Sequence, residues 1–444
     1  MKLVFRTSFL LFIFILSSCK KDKKDSLPPT ITFNAPLNTP VYHVFDTVTV
    51  NARVSDNMHL SSINVVLTDL NHTPVQGSFS VPISSADFAF NLRYILSEFR
   101  LQTGTYLMQI TADDGYNAVS SFQPIIIIES PTYWLGYCFN VKSNPQTIVG
   151  YDSSNAQNVN ITITGAYNGM KYGGYNRQLY INGNSSQPFL SFDLVNNVPN
   201  YTVTATNSQL GYTCLYSDGS KPYIGFKNGN VYSYTNIGTE STSYRYTGAN
   251  QSYAYYFTTT NTNNVAVYKN LVPSGNQDVL VSFYSLGAPA NVTPLPAGIT
   301  TVVGVFQKQQ NDSLYVLGND ANNQAVAYIY TFSGGFSANS LAGFGGFGKM
   351  LSATKINNEF ILFSTATGVY SCNGLNVNMA SLLPAAQKIS YQPKLNVLSV
   401  ASGPNLNAYS VVTSTVGTTS FAPIAKMSKT FTDSIVDFEV ITNK

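Results

Sequence analysis

The stretch that decides the fold is residues 223–234, which read YIGFKNGNVYSY. Aromatic and β-branched residues typical of strands lie on either side of Asn228 and Gly229. An Asn-Gly pair supplies the positive φ angles of a tight type I′ turn. The stretch therefore predicts a β-hairpin closed by a type I′ turn.

Similar pairs of strand-like runs recur towards the C-terminus. They are residues 314–317 with 326–330, 360–363 with 368–371, and 395–400 with 408–411. The second runs are centred near residues 328, 370 and 409, so the period is about 40 residues, which is typical of four-stranded β-propeller blades. Residues 133–444 are therefore expected to form a β-propeller of roughly seven blades. Six or eight blades, or two further sandwich domains, stay open as alternatives.

Two further strand-like runs lie at the ends of this region. Tyr133–Cys138 opens it, and Ser434–Val440 lies close to its end. Together they could complete one blade and close the ring without an open sheet edge.

The preceding residues, 28–129, are expected to form a β-sandwich. Val48–Val54 and Ile63–Leu67 alternate apolar and polar residues, and turn residues separate such runs. A short polar break at Glu129–Thr132 predicts the boundary between the two domains.

Two segments of this region resemble bacterial Ig-like domains. They are Val54–Leu60, similar to the turn after an early strand, and Gly104–Gly115, similar to the penultimate strand with its Asp-Gly turn. The resemblance implies an Ig-like sandwich in which Tyr106 closes a corner by hydrogen-bonding backbone. Residues 94–100 depart from the pattern and are expected to form one helical turn.

The N-terminus has the pattern of an export signal. Lys2 and Arg6 precede the apolar run Phe9–Leu16, which is too short for a membrane-spanning helix. The run ends in Leu16–Cys19, which resembles the lipobox of bacterial lipoproteins. The resemblance implies a signal peptide over residues 1–18 and a lipid on Cys19. The alternative is an ordinary secretory signal.

Residues 19–29 are expected to be a flexible tether, because the charged run Lys20–Asp25 and the prolines after it offer nothing to bury. A charged run directly after the lipidated cysteine resembles Bacteroidetes lipoproteins, some of which are exported to the outer face. The resemblance implies a lipid-anchored outer-membrane protein at the cell surface. The periplasmic side and a plain solvated linker stay open.

Composition excludes one class of partner. Removing the predicted leader lowers the basic count from 24 to 22, against 21 acidic residues, and no basic patch lies outside the tether. A nucleic-acid-binding protein would show a strong positive balance or patch. Nucleic acid is therefore not an expected partner.

Few residues suit catalysis or metal binding. All three histidines precede residue 131, so the predicted propeller has no histidine for a triad, a general base or a metal. Three cysteines remain after Cys19, enough for at most one disulfide, and they are expected to be small buried hydrophobic residues. Asp320, set among asparagines, is expected in a turn. We expect no catalytic residue, no metal site and no cofactor.

Carboxylates are the remaining catalytic candidates. Asp433, Asp437 and Glu439 cluster in sequence, and in a strand they would share one face. Such a pair could serve a glycoside hydrolase or lyase. An exposed sheet edge is the preferred explanation.

A loop with aromatic, amide and basic side chains is the candidate ligand site. Its residues are Tyr172, Tyr175, Asn176 and Arg177. Aromatic rings with polar neighbours suit stacking on a sugar and hydrogen bonding to its hydroxyls. The sequence thus favours a non-catalytic surface lipoprotein that binds a glycan or a partner protein. The alternatives are a glycoside hydrolase or lyase and a structural accessory of an outer-membrane assembly.

Overall fold

The computed structural model describes residues 25–142, 145–184, 187–206, 209, 211–246, 252–260, 263–270, 277–308, 313–341, 343–344, 346–373, 377–379, 383–412 and 423–443. Within these residues the chain forms strands and turns and no helix, so the predicted all-β class is confirmed. Accordingly, none of them lies in a helix long and apolar enough to cross a bilayer. The chain divides into two compact units after Pro131. Cys19 and the predicted leader lie outside the described residues.

The first unit consists of two small sheets. Its strands are β1 (Thr30–Ala35), β2 (Val41–His43), β3 (Thr47–Ser55), β4 (Ser62–Thr68), β5 (Phe79–Pro82), β6 (Asp87–Ile95), β7 (Gly104–Asp113) and β8 (Ala118–Ile128). One sheet has the order β1-β3-β6 and the other the order β2-β8-β7-β4-β5. The pairs are antiparallel except for β2 with β8, which is parallel.

The core of this unit lies between the two sheets. Val48, Val50, Ala52 and Val54 alternate along β3, and all four are fully buried against apolar residues of the other sheet. Burying a side chain of this size stabilises the fold by about 1.5–3 kcal/mol. The alternation that predicted the strand is thus what holds the two sheets together.

Two local predictions for this unit have different outcomes. The Tyr106 hydroxyl donates to the carbonyl of Gln102 at 3.0 Å, so the predicted backbone hydrogen bond is confirmed. The predicted helical turn over residues 94–100 is wrong. Thr47 pairs with Ile95, which keeps β6 extended to that residue, and only a tight turn follows.

The second unit contains the remaining strands. They are β9 (Trp134–Val141), β10 (Thr147–Asp152), β11 (Gln157–Thr162), β12 (Tyr167–Gly173), β13 (Gln178–Gly183), β14 (Phe189–Asp193), β15 (Val198–Val203), β16 (Tyr212–Ser217), β17 (Pro222–Phe226), β18 (Asn230–Tyr234), β19 (Glu240–Arg245), β20 (Tyr253–Thr259), β21 (Asn264–Lys269), β22 (Val279–Phe283), β23 (Pro289–Pro294), β24 (Thr301–Gln307), β25 (Ser313–Asn319), β26 (Ala325–Thr331), β27 (Gly335–Phe336), β28 (Met350–Lys355), β29 (Ile361–Thr365), β30 (Val369–Cys372), β31 (Val377–Met379), β32 (Lys388–Gln392), β33 (Val397–Ser402), β34 (Asn405–Ser410), β35 (Ile424–Thr430) and β36 (Ile435–Thr442).

In the described part of this unit, the strands form small four-stranded antiparallel sheets. Six sheets use consecutive strands, β12–β15, β16–β19, β20–β23, β24–β27, β28–β31 and β32–β35. A further sheet has the order β36-β9-β10-β11, so the last strand of the chain joins the first strands of the unit. The predicted pairing of the two terminal strands is therefore observed.

The arrangement of these sheets is propeller-like. The first strand of each consecutive sheet contacts the first strand of the next, and β36 contacts both β32 and β12. The apolar core lies between neighbouring sheets, as where Leu280 of β22 and Val316 of β25 share one buried cluster. Each sheet thus buries its faces against the sheets beside it.

The hairpin that decided the fold is confirmed, but its turn type is not. Residues of β17 and β18 pair as predicted. Gly229 takes a φ of +91°, and its amide donates to the Phe226 carbonyl at 3.1 Å, whereas Asn228 has no positive φ. This is a three-residue loop with glycine in the left-handed position. The Asn228 side chain accepts a hydrogen bond from the Asn230 amide, which favours this looser turn.

Candidate functional site

The predicted ligand loop is the turn between β12 and β13. Tyr172 ends β12, and its hydroxyl donates to the carbonyl of Thr442 on β36 at 2.6 Å. Asn176 donates to the carbonyl of Ser220 in the next sheet's turn at 2.9 Å. Arg177 adopts a φ of +54° to close the turn. Tyr175 is 47% exposed, the only one of the four with an exposed side chain.

Most of this loop is therefore structural. Burial raises the pKa of Tyr172, and its hydroxyl is engaged with the backbone. The structure does bring the four predicted residues onto one turn. Tyr175 is the one exposed ring among these four residues.

The carboxylates of β36 form an ion-pair cluster. Lys388 Nζ contacts Asp437 Oδ1 and lies 3.4 Å from Glu439 Oε1. Lys171 Nζ lies 3.0 Å from the same Glu439 oxygen, and the Tyr167 hydroxyl donates to Asp437 Oδ2 at 2.5 Å. These groups come from β12, β32 and β36, the first strands of neighbouring sheets.

This cluster corrects two expectations about the acids. The side chains of Asp437 and Glu439 are each only 15% exposed, so they do not lie on an exposed edge. Asp433 does not share their face, because β36 begins at Ile435 and Asp433 lies in the exposed turn before it.

The electrostatics of the cluster oppose acid catalysis. Burial raises the pKa of Asp437, but the ammonium groups of Lys388 and Lys171 outweigh burial and hold that pKa below its usual range. The Glu439 carboxylate in turn raises the pKa of Lys171. A general acid at neutral pH needs a raised carboxyl pKa. Asp437 is arranged to stay ionised.

A groove with aromatic side chains in its lining lies between the sheet of β9 and the sheet of β33. We call it the Trp134 groove, after the sole tryptophan of the chain. It has a volume of about 770 Å³ and is lined by residues that include Tyr133, Trp134, Ser154, Asn155, Lys426 and Met427. Small-molecule sites typically have about 300–1,000 Å³ of volume and a mainly apolar lining. The Trp134 groove has the size of a ligand site.

The walls of the groove are held in place. The Trp134 indole donates to the Gly136 carbonyl at 2.8 Å, and its ring packs 5.4 Å from the Tyr137 ring. In the turn after β10 of the same sheet, Asp152 Oδ1 accepts hydrogen bonds from the amides of Ser154 and Ala156, both at 2.9 Å. A site built on fixed side chains loses little entropy on binding.

The rim of the groove offers both aromatic and polar groups. Tyr133 is 56% exposed, while its backbone amide donates to Asn443 Oδ1 at 2.9 Å. Lys429 Nζ donates to Asn155 Oδ1 at 2.7 Å, which fixes the amide so that its nitrogen supplies the donors. Lys426 is exposed.

The groove and the predicted loop lie at corresponding ends of adjacent sheets. Trp134 pairs with Thr442 at the end of β36, and Thr442 receives the Tyr172 hydrogen bond. Tyr175 follows directly in the turn after β12. Tyr133 and Tyr175 are therefore exposed rings on one face of the unit.

Sequence reasoning missed the groove. The sequence predicts a strand over residues 133–138, which is confirmed for Trp134 onwards, but a single tryptophan argues mildly against a dedicated glycan-binding protein. The signal available was the sole tryptophan beside an exposed tyrosine at the start of a strand. The opposite wall comes from residues more than 200 positions away, so no local pattern could reveal it.

The three described cysteines play no part in either site. Among the described residues, Cys138, Cys214 and Cys372 are buried and form no disulfide, as expected for small hydrophobic residues. Burial raises the pKa of Cys138 and of Cys214 to about 12. These thiols are therefore protonated and inert at neutral pH.

Asp320 lies in a turn, as predicted, and its Oδ1 accepts hydrogen bonds from the amides of Asn322 and Gln324.

Comparison with known proteins gives distant structural likenesses. No protein-family model matches the chain, and no curated protein matches it. A quinoprotein alcohol dehydrogenase-like protein from Bacteroides thetaiotaomicron is similar at 10% identity, with 94% of this chain and 99% of that chain covered and a TM-score of 0.46. Hydrazine synthase from Kuenenia stuttgartiensis is similar at 7% identity, over 66% of this chain and 89% of that one, with a TM-score of 0.47. Neither protein's activity transfers to this chain at such identities.

Proposed function

We propose that the protein is a non-catalytic, surface-exposed lipoprotein whose propeller binds a glycan in the Trp134 groove. The observation that carries the proposal is the groove itself, with a fixed indole, an exposed phenol ring and polar groups at its rim. A sugar ring presents C–H groups on its faces and hydroxyls at its edge. Tyr133 and Trp134 match the faces, and Asn155 and Lys426 supply donors for the hydroxyls.

The proposal includes a finer account of the fold. The second unit is a seven-bladed ring in which β36 completes the blade of β9–β11. The circular series of contacts among the first strands supports this count. The first unit is an Ig-like sandwich acting as a spacer, supported by its two packed sheets and by the Tyr106 hydrogen bond to Gln102.

The proposed location rests on the N-terminal sequence. Cys19 would carry the lipid, and the anchor would hold the protein at the outer membrane. The tether predicted over residues 19–29 would end before Asp25, because Asp25 is buried. Stable anchoring takes more than one acyl chain. Bacterial lipoproteins, which the leader resembles, usually carry three.

The non-catalytic part of the proposal rests on the β36 acids. Asp437 and Glu439 are each bound to a lysine ammonium, and the pKa of Asp437 is lowered. This arrangement favours a structural role in joining three strands. Because the proposal excludes catalysis, each glycan tested for binding is also tested as a substrate for hydrolysis or elimination.

The test is a glycan array probed with residues 20–444, followed by titration calorimetry on the best ligand. Tyr133→Ala should weaken binding about ten-fold or more, since central aromatic side chains dominate binding energy. Tyr284→Ala removes a ring that is 60% exposed in the turn between β22 and β23 and is the matched control. It should bind as the wild type does.

Three outcomes would contradict the proposal. One is an array with no bound glycan. Another is equal loss of binding in Tyr133→Ala and Tyr284→Ala. The third is turnover of a glycan that Asp437→Asn and Glu439→Gln both abolish with folding intact, which would make the protein an enzyme.

A further inference from the structure

Three aspartates of the sandwich converge at one end of its sheets. Asp25 precedes β1, Asp56 directly follows β3, and Asp114 lies in the turn between β7 and β8. One carboxylate oxygen from each lies within 4.8 Å of the others. Three like charges this close repel one another unless something positive lies between them.

Hydrogen bonds engage both oxygens of Asp114, because the Asn117 side-chain amide donates to its Oδ2 at 2.9 Å, but only one oxygen each of Asp25 and Asp56. Asp114 Oδ1 accepts from the amides of Tyr116 and Asn117, at 2.6 Å and 2.5 Å. Asp56 Oδ2 accepts from two amides of its own turn, at 2.7 Å and 2.9 Å. Asp25 Oδ1 accepts from the Leu27 amide at 3.1 Å and from an asparagine side chain at 3.2 Å. Each carboxylate is thereby held in one orientation.

Within the residues that the structure describes, two oxygens of the cluster are buried and have no hydrogen-bond partner. They are Asp25 Oδ2 and Asp56 Oδ1. Asp25 is only 6% exposed and Asp114 is fully buried. A buried carboxylate oxygen without a partner is costly, so such groups are usually paired or bound to a metal.

The described lysines and arginines do not neutralise the cluster. Within the part of the chain that the structure describes, no lysine or arginine forms an ion pair with these three aspartates. His59 is the titratable group that faces Asp114, and its backbone amide already donates to Asp56. Among the described residues, the three carboxylates therefore lack a lysine or arginine that would balance their charge.

We propose that Asp25, Asp56 and Asp114 bind a calcium ion. The donor set contains only hard oxygen atoms, which excludes the nitrogen- and sulfur-seeking metals as the natural occupants. Calcium–oxygen distances of about 2.3–2.6 Å place oxygens on opposite sides of the ion up to about 5 Å apart. Magnesium, at about 2.0–2.1 Å, needs a tighter set with near-ideal octahedral geometry.

The site has a consequence for the start of the domain. Asp25 lies six residues after Cys19, and the other two ligands lie in the turns after β3 and β7. A bound calcium ion ties the segment before β1 to both turns. The ion would thus fix the point at which the tether leaves the sandwich.

The test is titration calorimetry of chelator-treated residues 20–444 with CaCl2 and, separately, with MgCl2. Calcium should bind at one site with a dissociation constant of about 1 mM or tighter, the range of extracellular calcium modules. Asp25→Asn should weaken it about ten-fold or more, because it removes one of three ligand charges and leaves both turns intact. Asp69→Asn is the matched control, since Asp69 caps a similar turn after β4 at the other end of the sheet, accepting from Asn71 and Thr73.

The outcomes separate clearly. Calcium binding that is lost in Asp25→Asn and kept in Asp69→Asn supports the site. The proposal is overturned by the absence of calcium binding at about 10 mM, well above the range of such modules. It is equally overturned by unchanged binding in Asp25→Asn, or by magnesium binding as tightly as calcium does.

Discussion

The pairing of β36 with β9 predicts that the C-terminal strand is essential for the second unit. Deleting residues 434–444 removes all of β36 and leaves β9 as an open edge. It also leaves Lys171 without the Glu439 carboxylate that neutralises it. We expect the truncated unit to lose its cooperative fold.

The magnitude follows from what the strand buries. Ile435, Phe438, Val440 and Ile441 are each 7% exposed or less. At about 1.5–3 kcal/mol per buried side chain, they contribute about 6–12 kcal/mol. A whole domain is stable by only about 5–15 kcal/mol. Losing this strand therefore removes most or all of the free energy of unfolding of the unit.

The assay is urea unfolding followed by the fluorescence of Trp134, which pairs with Thr442 at the seam. Phe438→Ala is a milder perturbation of the same strand. It should lower the free energy of unfolding by about 3–5 kcal/mol, and the transition should stay cooperative. Val436→Ala, on the same strand but at a 41% exposed position, should shift the midpoint little. An unchanged midpoint and cooperativity after truncation would refute the reasoning.

Two further predictions concern the anchor and the β36 acids. Cys19→Ser should move the protein from the membrane fraction to the soluble fraction, and continued membrane partition would show that the anchor lies elsewhere. Because the pKa of Asp437 is lowered in the folded protein, its ion pair stabilises the fold above the usual aspartate pKa and is lost as pH falls through the folded value. Asp437→Asn should therefore cost about 3 kcal/mol at pH 7 and less at pH 3, measured by urea unfolding at both values. An equal loss of unfolding free energy at pH 7 and at pH 3 would mean that the charge of Asp437 does not contribute to stability.

The local strand pattern was predictable from sequence. Alternation at Val48–Val54 marks a strand because a half-buried sheet imposes a period of two, and the Asn228-Gly229 pair marks a hairpin turn. The turn type at Gly229 was missed, since the Asn228 side-chain hydrogen bond to the Asn230 amide is one of several local options. Local chemistry predicts the position of a turn more reliably than it predicts the type of turn.

The sites were less predictable because they join distant residues. Asp437 meets Tyr167, 270 positions away, only because β36 closes onto the start of the unit. The Trp134 groove and the Asp25, Asp56 and Asp114 cluster are assembled the same way, from turns of separate strands. The loop at Tyr175 was a local prediction, and most of its side chains hold the fold instead.

The central claim is that the Trp134 groove binds a glycan, and the sole tryptophan of the chain reports on it directly. The measurement is Trp134 emission in residues 20–444 during titration with the glycan selected on the array, with acrylamide quenching at each end point. We predict a saturable shift in emission and reduced quenching, both weakened in Tyr133→Ala and kept in Tyr284→Ala. Glycan binding by calorimetry without any change in Trp134 emission or quenching would place the ligand elsewhere and contradict the account.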